Sequence, residues 1–352
     1  MSEDKQDENP EGKGEQKESE EQKVKASEGL MDQSVIYVKK QGTQIGLEEG
    51  RIEVREKGEV LQSFPEEQVN TINVFGGVNL TTPFFKACNK KEITVNYFTI
   101  HGNYEGSFLP EKNTIARVRR KQYSLSEEKE RDIVHEITRA KARNMKTILM
   151  RKGVKETGKI GKVLDILKNE EPEKDTLRAR EGETSDYYFQ KIDETLRKGW
   201  TFEKRTRRPP EDHINSLLSL TYTFLKNEVL SGLRQYNLDP FLGVMHVDRH
   251  GRPSLALDLM EEFRPLFADT FTMRLINRQT LDHDDFKKDN RLKDEKFSTY
   301  MEKWEDYMNE EFLHPKFEYQ VTRRKAIRLQ AILLRKVITG ENQKYHPLVF
   351  KR

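Results

Sequence analysis

The sequence predicts an α+β protein, with a small β-rich N-terminal domain followed by a larger all-α domain. Three observations carry this. Residues 34 to about 108 run in short apolar stretches cut by turn residues, the apolar spacing after Pro110 becomes helical and stays so almost to the end, and residues 1–30 hold almost nothing apolar. The boundaries that follow are 1–30 for an acidic tail, 31–110 for the β-rich domain, 111–345 for the helical domain and 346–352 for a C-terminal tail.

In chain order the tail comes first. Its ten acids and five lysines leave a balance of −5, with too little apolar surface to offset the entropy of ordering, so disorder is expected. The strands follow as VIYVKK, QIGLEEGRIEVRE, EVLQSF, TINVFGG and EITVNYF, with Gly42, Gly50, Gly58 and the Gly76–Gly77 pair at the turns. Before the last strand, LTTPFFKACNKK predicts one short helix, with Thr81 or Thr82 as N-cap and Pro83 at its first position. Helices are then expected over 115–123, 129–152, 159–168, 176–198, 211–236, 255–277, 297–310 and 319–339. There is no repeat period, P-loop, dinucleotide fingerprint or HExxH.

Composition narrows the function classes. Hydrophobic residues make up 34% of the 352 and charged ones 35%, which suggests an extended, highly charged surface. No apolar run approaches the roughly 18 to 20 residues that span a bilayer, and no signal-peptide segment opens the chain, so a soluble, cytoplasmic protein with no membrane association is expected. The single cysteine, Cys88, excludes a disulfide framework and any cysteine-based zinc site, and reads as a buried helical thiol. The net charge of +3 less the tail's −5 leaves +8 on the remainder, which favours polyanions. Three basic clusters stand out: Arg117/Arg119/Arg120/Lys121, Lys204/Arg205/Arg207/Arg208 and Arg323/Arg324/Lys325. With Tyr187, Tyr188 and Tyr222 nearby they read either as phosphate-tracking surfaces or as solvated faces.

The least ordinary chemistry lies in FLGVMHVDRHGRPSLALDLMEEFRP, residues 241–265, which brings His246, Asp258 and Glu261 into one loop-to-helix passage. Asp258 and Glu261, three apart, share a helix face. At about 100° per residue, Ala268 lies roughly 20° from Glu261 around the axis, so this acid falls on the apolar stripe and needs a partner. Pro265 has no N–H to give to the Glu261 carbonyl, so the backbone is expected to loosen or bend there. In 176–198 the inward face reads Leu177, Tyr188, Ile192 and Leu196, and Glu181 lies within roughly 40° of it, while Glu183 and Asp186 point to solvent. Gly182, costly in a helix, suggests close approach of something to that backbone. If Glu181 and Glu261 faced one another at roughly 4 Å, their repulsion at an effective dielectric near 20 would be about 4 kcal/mol. Two readings stand: Glu181, His246 and Glu261 converge on a divalent metal, or each acid pairs with a buried arginine. His250 reads as a turn residue or phosphate contact rather than a ligand, and His283 in LDHDDF as part of a solvated loop.

REGETSDYYF at 180–189, RRPPEDHINSLLSLTYTFL at 207–225, LDPFLGVMHVDRHGRPSLALDLMEEFRPLFADTFTMRLINR at 238–278 and the terminal KYHPLVFKR together resemble the CRISPR-associated integrase family, the first-numbered Cas protein. The resemblance runs from about residue 34 to 352. It implies a β-sandwich-like N-terminal domain, a helical catalytic domain, a homodimer, and a metal-dependent DNA endonuclease and integrase that inserts spacers into a CRISPR array by 3′-hydroxyl attack on a repeat phosphodiester. It places the family's metal-binding acid, histidine and second acid on Glu181, His246 and Glu261, with Asp258 at a further acidic position beside the site. The last ligand in many members is Asp, where this chain has Glu261. Two carboxylates and an imidazole suit Mg²⁺ or Mn²⁺ better than zinc. The implied partners are double-stranded DNA, as spacer precursor and repeat, and the second-numbered Cas protein. Two competing readings are a non-catalytic nucleic-acid-binding scaffold, whose acids only pair with arginines, and a metallohydrolase of small phosphoesters.

Overall fold

Residues 34–100, 104–110, 116–170, 172–207 and 209–350 are described by the structure, a computed structural model. The acidic tail and Arg208 of the second basic cluster lie outside these residues. Strands β1 (Ser34–Val38), β2 (Gln44–Glu48), β3 (Arg51–Glu56), β4 (Glu59–Pro65), β5 (Val69–Phe75), β6 (Asn79–Leu80), β7 (Thr94–Phe98) and β8 (Tyr104–Phe108) build two four-stranded sheets. Of these, β6 and β8 were not read from the sequence. One sheet runs β1-β5-β7-β8, parallel except for the β7/β8 edge, and the other runs β4-β3-β2-β6 around an antiparallel meander.

The two sheets close over a common core that includes Ile36, Ile45, Ile52, Ile72, Val74 and Val95. Helix α1 (Thr82–Lys91) adds Phe84 and Cys88 to it. Its N-cap is Thr81, which accepts the Phe84 N–H, so Pro83 falls at the second helical position. Burial drives the Cys88 thiol up to about 12, as an inert core residue requires.

Strand β5 is buried on both faces, which is why its sequence barely alternates. Ile72 and Val74 enter the sandwich core, while Thr71 and Phe75 face a long helix, with Thr71 Oγ1 3.4 Å from Ser231 Oγ and the Phe75 ring 6.4 Å from Phe224.

After Pro110 the chain is helical: α2 (Ala116–Tyr123), α3 (Glu127–Arg151), α4 (Gly158–Asn169), α5 (Lys174–Ile192), α6 (His213–Gln235), α7 (Ser254–Met260), α8 (Thr270–Asn277), α9 (Asp294–Asn309) and α10 (Arg323–Thr339). Ser126, Asp212 and Thr322 cap the first turns of α3, α6 and α10 by accepting backbone N–H groups, and Gly340 ends α10 in the left-handed conformation at φ 82°.

Three helical expectations are corrected. The segment 319–339 begins as strand β10 (Gln320–Thr322), paired antiparallel with β9 (Glu311–Leu313). Residues 176–198 stop being α-helical at Ile192 and continue as one 3-10 turn, Asp193–Thr195, leaving Leu196 only half-buried. The single helix expected over 255–277 is broken into α7, a three-residue turn, a π-helical turn (Arg264–Asp269) and α8. Pro265 is the physical reason: it offers no N–H to the preceding turn, so the ladder shifts register at Glu261.

Where the sheets meet the helices, Arg324 of α10 is buried at 4% exposure. Its guanidinium donates to Glu228 of α6 at 3.0–3.2 Å, to Glu305 of α9 at 2.8 and 2.9 Å and to Asn309 at 2.8 Å, and it reaches Tyr37 of β1 at 3.5 Å.

Candidate active site

Glu181 on α5 and Glu261, one residue past α7, meet on a single ammonium group. Lys141 of α3, buried at 3% exposure, contacts Glu181 Oε1, and its Nζ lies 2.6 Å from Glu261 Oε2. Arg264 Nη1 lies 3.1 Å from Glu261 Oε1, and Ser185 Oγ donates to Glu181 Oε1 at 2.8 Å. Burial by itself would push the Glu181 carboxyl up, but Lys141 and Ser185 overcome it and hold it at about 2. The charged form is therefore the one the site is built for.

The repulsion expected between the facing acids is answered by a shared lysine and one arginine. Two carboxylates and two cations make this cluster neutral. Arg264 stacks 5.0 Å from the Tyr222 ring, and Tyr222 donates to Asp269, whose carboxyl burial raises to about 6.

The donor set fits a hard divalent cation that would take the place of the ammonium. Glu261 Oε2 is buried and accepts no well-directed hydrogen bond even with Lys141 beside it. Glu181 keeps 21% side-chain exposure, so the pair opens to solvent on one side. The close approach expected at Gly182 has no protein partner: nothing lies within 4 Å of where a Cβ would stand, and that face of α5 is open.

His246 is placed by Asp258 rather than by the glutamates. Asp258 Oδ1 lies 2.5 Å from His246 Nδ1 and accepts its backbone N–H at 2.9 Å, while Oδ2 accepts Val244 N at 2.7 Å and Met245 N at 3.0 Å. One buried carboxylate thus shapes the loop and fixes the imidazole, leaving Nε2 as the nitrogen available to a ligand. Gly243 is required in that loop. A Cβ there would stand 2.6 Å from Ser254 Cβ and 2.8 Å from the His246 carbonyl oxygen. Arg178, one turn before Glu181, donates to the Met245 carbonyl at 2.7 Å and ties the loop to α5. Among the described residues no three His, Cys, Asp or Glu side chains are gathered as a ligand cluster, because Lys141 stands between the acids and Asp258 holds the imidazole.

Sequence reasoning missed Lys141, Arg264, Asn144 and Glu262. A signal for two of them existed. On α3, Lys141 and Asn144 continue the stripe of Ile133, Val134, Ile137, Ala140 and Ile148, so a lysine and an asparagine sit where only apolar residues belong.

Of the three basic clusters, only the first is a surface throughout. Arg117, Arg119, Arg120 and Lys121 on α2 are all exposed. The end of α2 is stitched to the loop that leads to His246, since Gln122 donates to the Asp239 carbonyl and accepts the Asp239 N–H, both at 2.8 Å, and Tyr123 donates to Asp239 at 2.7 Å. Arg324 belongs to the buried network above, Arg323 donates to the Tyr307 carbonyl at 2.7 Å, and Arg205 donates to Asn215 at 2.8 Å and Ser219 at 3.0 Å. These are structural cations, recruited by buried acceptors. Tyr187 and Tyr188 are core residues and Tyr222 is tied to Asp269, so none is a stacking platform for bases. His283 is exposed, as expected of that polar loop, in a single 3-10 turn, His283–Asp285. Its ring stacks 4.1 Å from Trp200 and its Nδ1 lies 3.1 Å from that of His213.

The family model for CRISPR associated protein Cas1 matches residues 36–306. A CRISPR-associated endonuclease Cas1 of Methanospirillum hungatei is 48% identical over 93% of this chain and 94% of its own length. The structure of TM1797, a Cas1 protein from Thermotoga maritima, superposes with a TM-score of 0.76 at 25% identity, covering 91% of this chain and all of that one. A casposase bound to integration product shares the fold at 19% identity, with a TM-score of 0.75 over 88% of this chain and 92% of its own. Among the described residues no helix is long and apolar enough to cross a membrane.

Proposed function

Since this chain belongs to the CRISPR-associated Cas1 family, we infer that it is the endonuclease and integrase that inserts new spacers into a CRISPR array. The observation that carries the reading at residue level is the convergence of Glu181 and Glu261, from two separate helices, on one buried cation. Glu181, Glu261 and His246 would hold Mg²⁺ or Mn²⁺, in the place the Lys141 ammonium takes between the two glutamates. What the bound ion supplies is charge neutralisation and polarisation of a phosphodiester oxygen.

The chain's own residues do the rest. Asp258 keeps the imidazole in one tautomer and one orientation. Arg264, whose pKa Glu261 and Glu181 keep raised against the opposing effect of burial, remains a fixed positive charge beside the acids. Arg117, Arg119, Arg120 and Lys121 offer phosphate contacts on the helix joined to the His246 loop. The reaction joins a DNA 3′-hydroxyl oxygen to a repeat phosphorus and releases the bridging oxygen of that phosphodiester as a new 3′-hydroxyl, with no covalent enzyme intermediate. A homodimer acting with the second-numbered Cas protein is the assembly this reading takes.

One observation favours the scaffold reading: Glu261 does pair with an arginine, Arg264, though its side chain is only half-buried. Plasmid integration measured with and without Mn²⁺, and with and without the partner, separates the two. Integration that needs Mn²⁺ and fails in Glu181→Ala is expected; DNA binding with no metal-dependent strand transfer would leave only the scaffold. If α2 and its surroundings engage six to ten phosphates, affinity should fall by about 10³ to 10⁵ between 50 and 200 mM salt.

A further inference from the structure

The turn that carries Glu261 lies in a break between helices, where the regular ladder gives way to bonds from the Glu261 N–H to the Asp258 carbonyl at 3.2 Å and from the Phe263 N–H to the Met260 carbonyl at 3.0 Å. Pro265 has no N–H to add to this turn, so what is packed against it also sets its orientation. Glu262, the next residue, is fully buried, and its carboxyl group faces residues 345–348. Tyr345 Oη donates to Glu262 Oε1 at 2.7 Å and the Leu348 N–H to Oε2 at 2.7 Å. Gln330 of α10 supports the same strap, donating to the His346 carbonyl at 3.0 Å.

Asn144 completes the clamp. Its Nδ2 donates to the Glu262 carbonyl at 3.0 Å and to the Leu348 carbonyl at 2.8 Å, while its Oδ1 accepts the Phe350 N–H at 3.1 Å. Asn144 sits three residues after Lys141 on one face of α3. That single helix face therefore holds the Glu261 carboxylate through Lys141 and the following carbonyl through Asn144.

We propose that residues 345–350, acting through Glu262 and Asn144, are a positioning strap for Glu261, and that this strap sets the affinity of the centre for its divalent cation. Residues 346–350, within the segment 346–352 that the sequence assigns to a simple tail, thereby become part of the site's supporting shell. The inference rests on the reading of Glu181 and Glu261 as cation ligands. Supporting partners that fix a ligand's orientation typically change metal affinity by about 10- to 100-fold when removed.

The test uses the full-length protein and the variants Tyr345→Phe, Glu262→Gln and Glu181→Ala. Mn²⁺ binding is measured by calorimetry without DNA, the Mn²⁺ dependence of strand transfer is measured on branched DNA, and thermal midpoints are recorded in chelator. Tyr345→Phe and Glu262→Gln are expected to weaken Mn²⁺ binding by about tenfold and to shift half-saturation of activity by the same factor, with the wild-type rate recovered at saturating Mn²⁺. Tyr345→Phe keeps its ring in the core, so it carries the test if Glu262→Gln fails to fold. Unchanged Mn²⁺ affinity in Tyr345→Phe overturns the inference, as does a lost rate that saturating Mn²⁺ does not recover, the mark of a merely structural strap. Wild-type Mn²⁺ affinity in Glu181→Ala overturns the ligand assignment itself and the strap's role with it. Loss of Mn²⁺ binding in Glu181→Ala alone sinks only the strap.

Discussion

Two buried cations in this molecule each lie between two glutamates, and they are finished to different degrees. Arg324 directs donors to Glu228, Glu305 and Asn309 at 2.8–3.2 Å, and both carboxylates are met by its fork. Lys141 also joins two acids, yet Glu261 Oε2 receives no well-directed hydrogen bond from it. A planar guanidinium satisfies two carboxylates at once; an ammonium is a point charge that another point charge can replace. The saturated cluster joins sheets to helices, whereas the unsaturated one is suited to exchange its cation. On the proposed reading, an incompletely satisfied acid, rather than a buried cation alone, sets the Glu181/Glu261 pair apart from the Arg324 cluster.

The strongest way to break this comparison is through activity. Glu181→Ala and Glu261→Ala should each lower metal-dependent strand transfer by at least about 10³-fold, or about 4 kcal/mol, with DNA affinity and fold retained. An integration assay at saturating Mn²⁺ checks it, and robust turnover in either variant would remove that residue from the site.

Arg324→Met should behave in the opposite manner. Removing the Arg324 charge from Glu228 and Glu305, whose side chains are 10% and 26% exposed, should cost about 2 to 4 kcal/mol of stability, read by urea denaturation, while the folded fraction keeps its specific activity. A loss below about 1 kcal/mol, the range of surface pairs, would make the two clusters equivalent.

Lys141→Met sharpens the contrast between them. Without metal the variant should lose about 2 kcal/mol of stability, because two acids then share Arg264 alone. Added Mn²⁺ should restore that stability by binding the native state preferentially. Mn²⁺ should do nothing for Arg324→Met. Melting curves of both variants with and without Mn²⁺ decide it.

The smallest effect concerns a third acid, Glu136 of α3, which Arg139 holds at 2.7 Å and Lys344 at 3.1 Å. Burial opposes its ionisation, but His135, Arg139 and Lys344 prevail and bring its pKa down to about 2. An acid depressed in the fold stabilises above its unfolded value, near 4.3, and loses that contribution as pH falls toward 2. With Lys344 largely exposed, the effect should be about 1 to 2 kcal/mol. Glu136→Gln should flatten the stability profile between about pH 4.3 and 2, and an unaltered slope there would show that the cluster is screened.

The β-rich start and helical remainder, the short helix after Thr81 and the loosening at Glu261 are legible in the sequence, because each depends on local periodicity or on a proline's missing N–H; strands β6, β8, β9 and β10 are too short or irregular to be. The inward placement of Glu181, Asp258 and Glu261 is legible too, because a charge on an apolar stripe can be read from angles alone. Only the tertiary structure decided which cations meet those acids, because a lysine about 40 positions before Glu181 and about 120 before Glu261 leaves no mark in either one's local sequence. It also decided that Arg324 is a buried keystone rather than a surface charge, and that Tyr345 and Leu348 bond to the turn beside Glu261. Spacing along the chain determines which face a residue occupies, while its partner is chosen by packing between segments far apart in sequence, where desolvation makes every unpaired charge expensive.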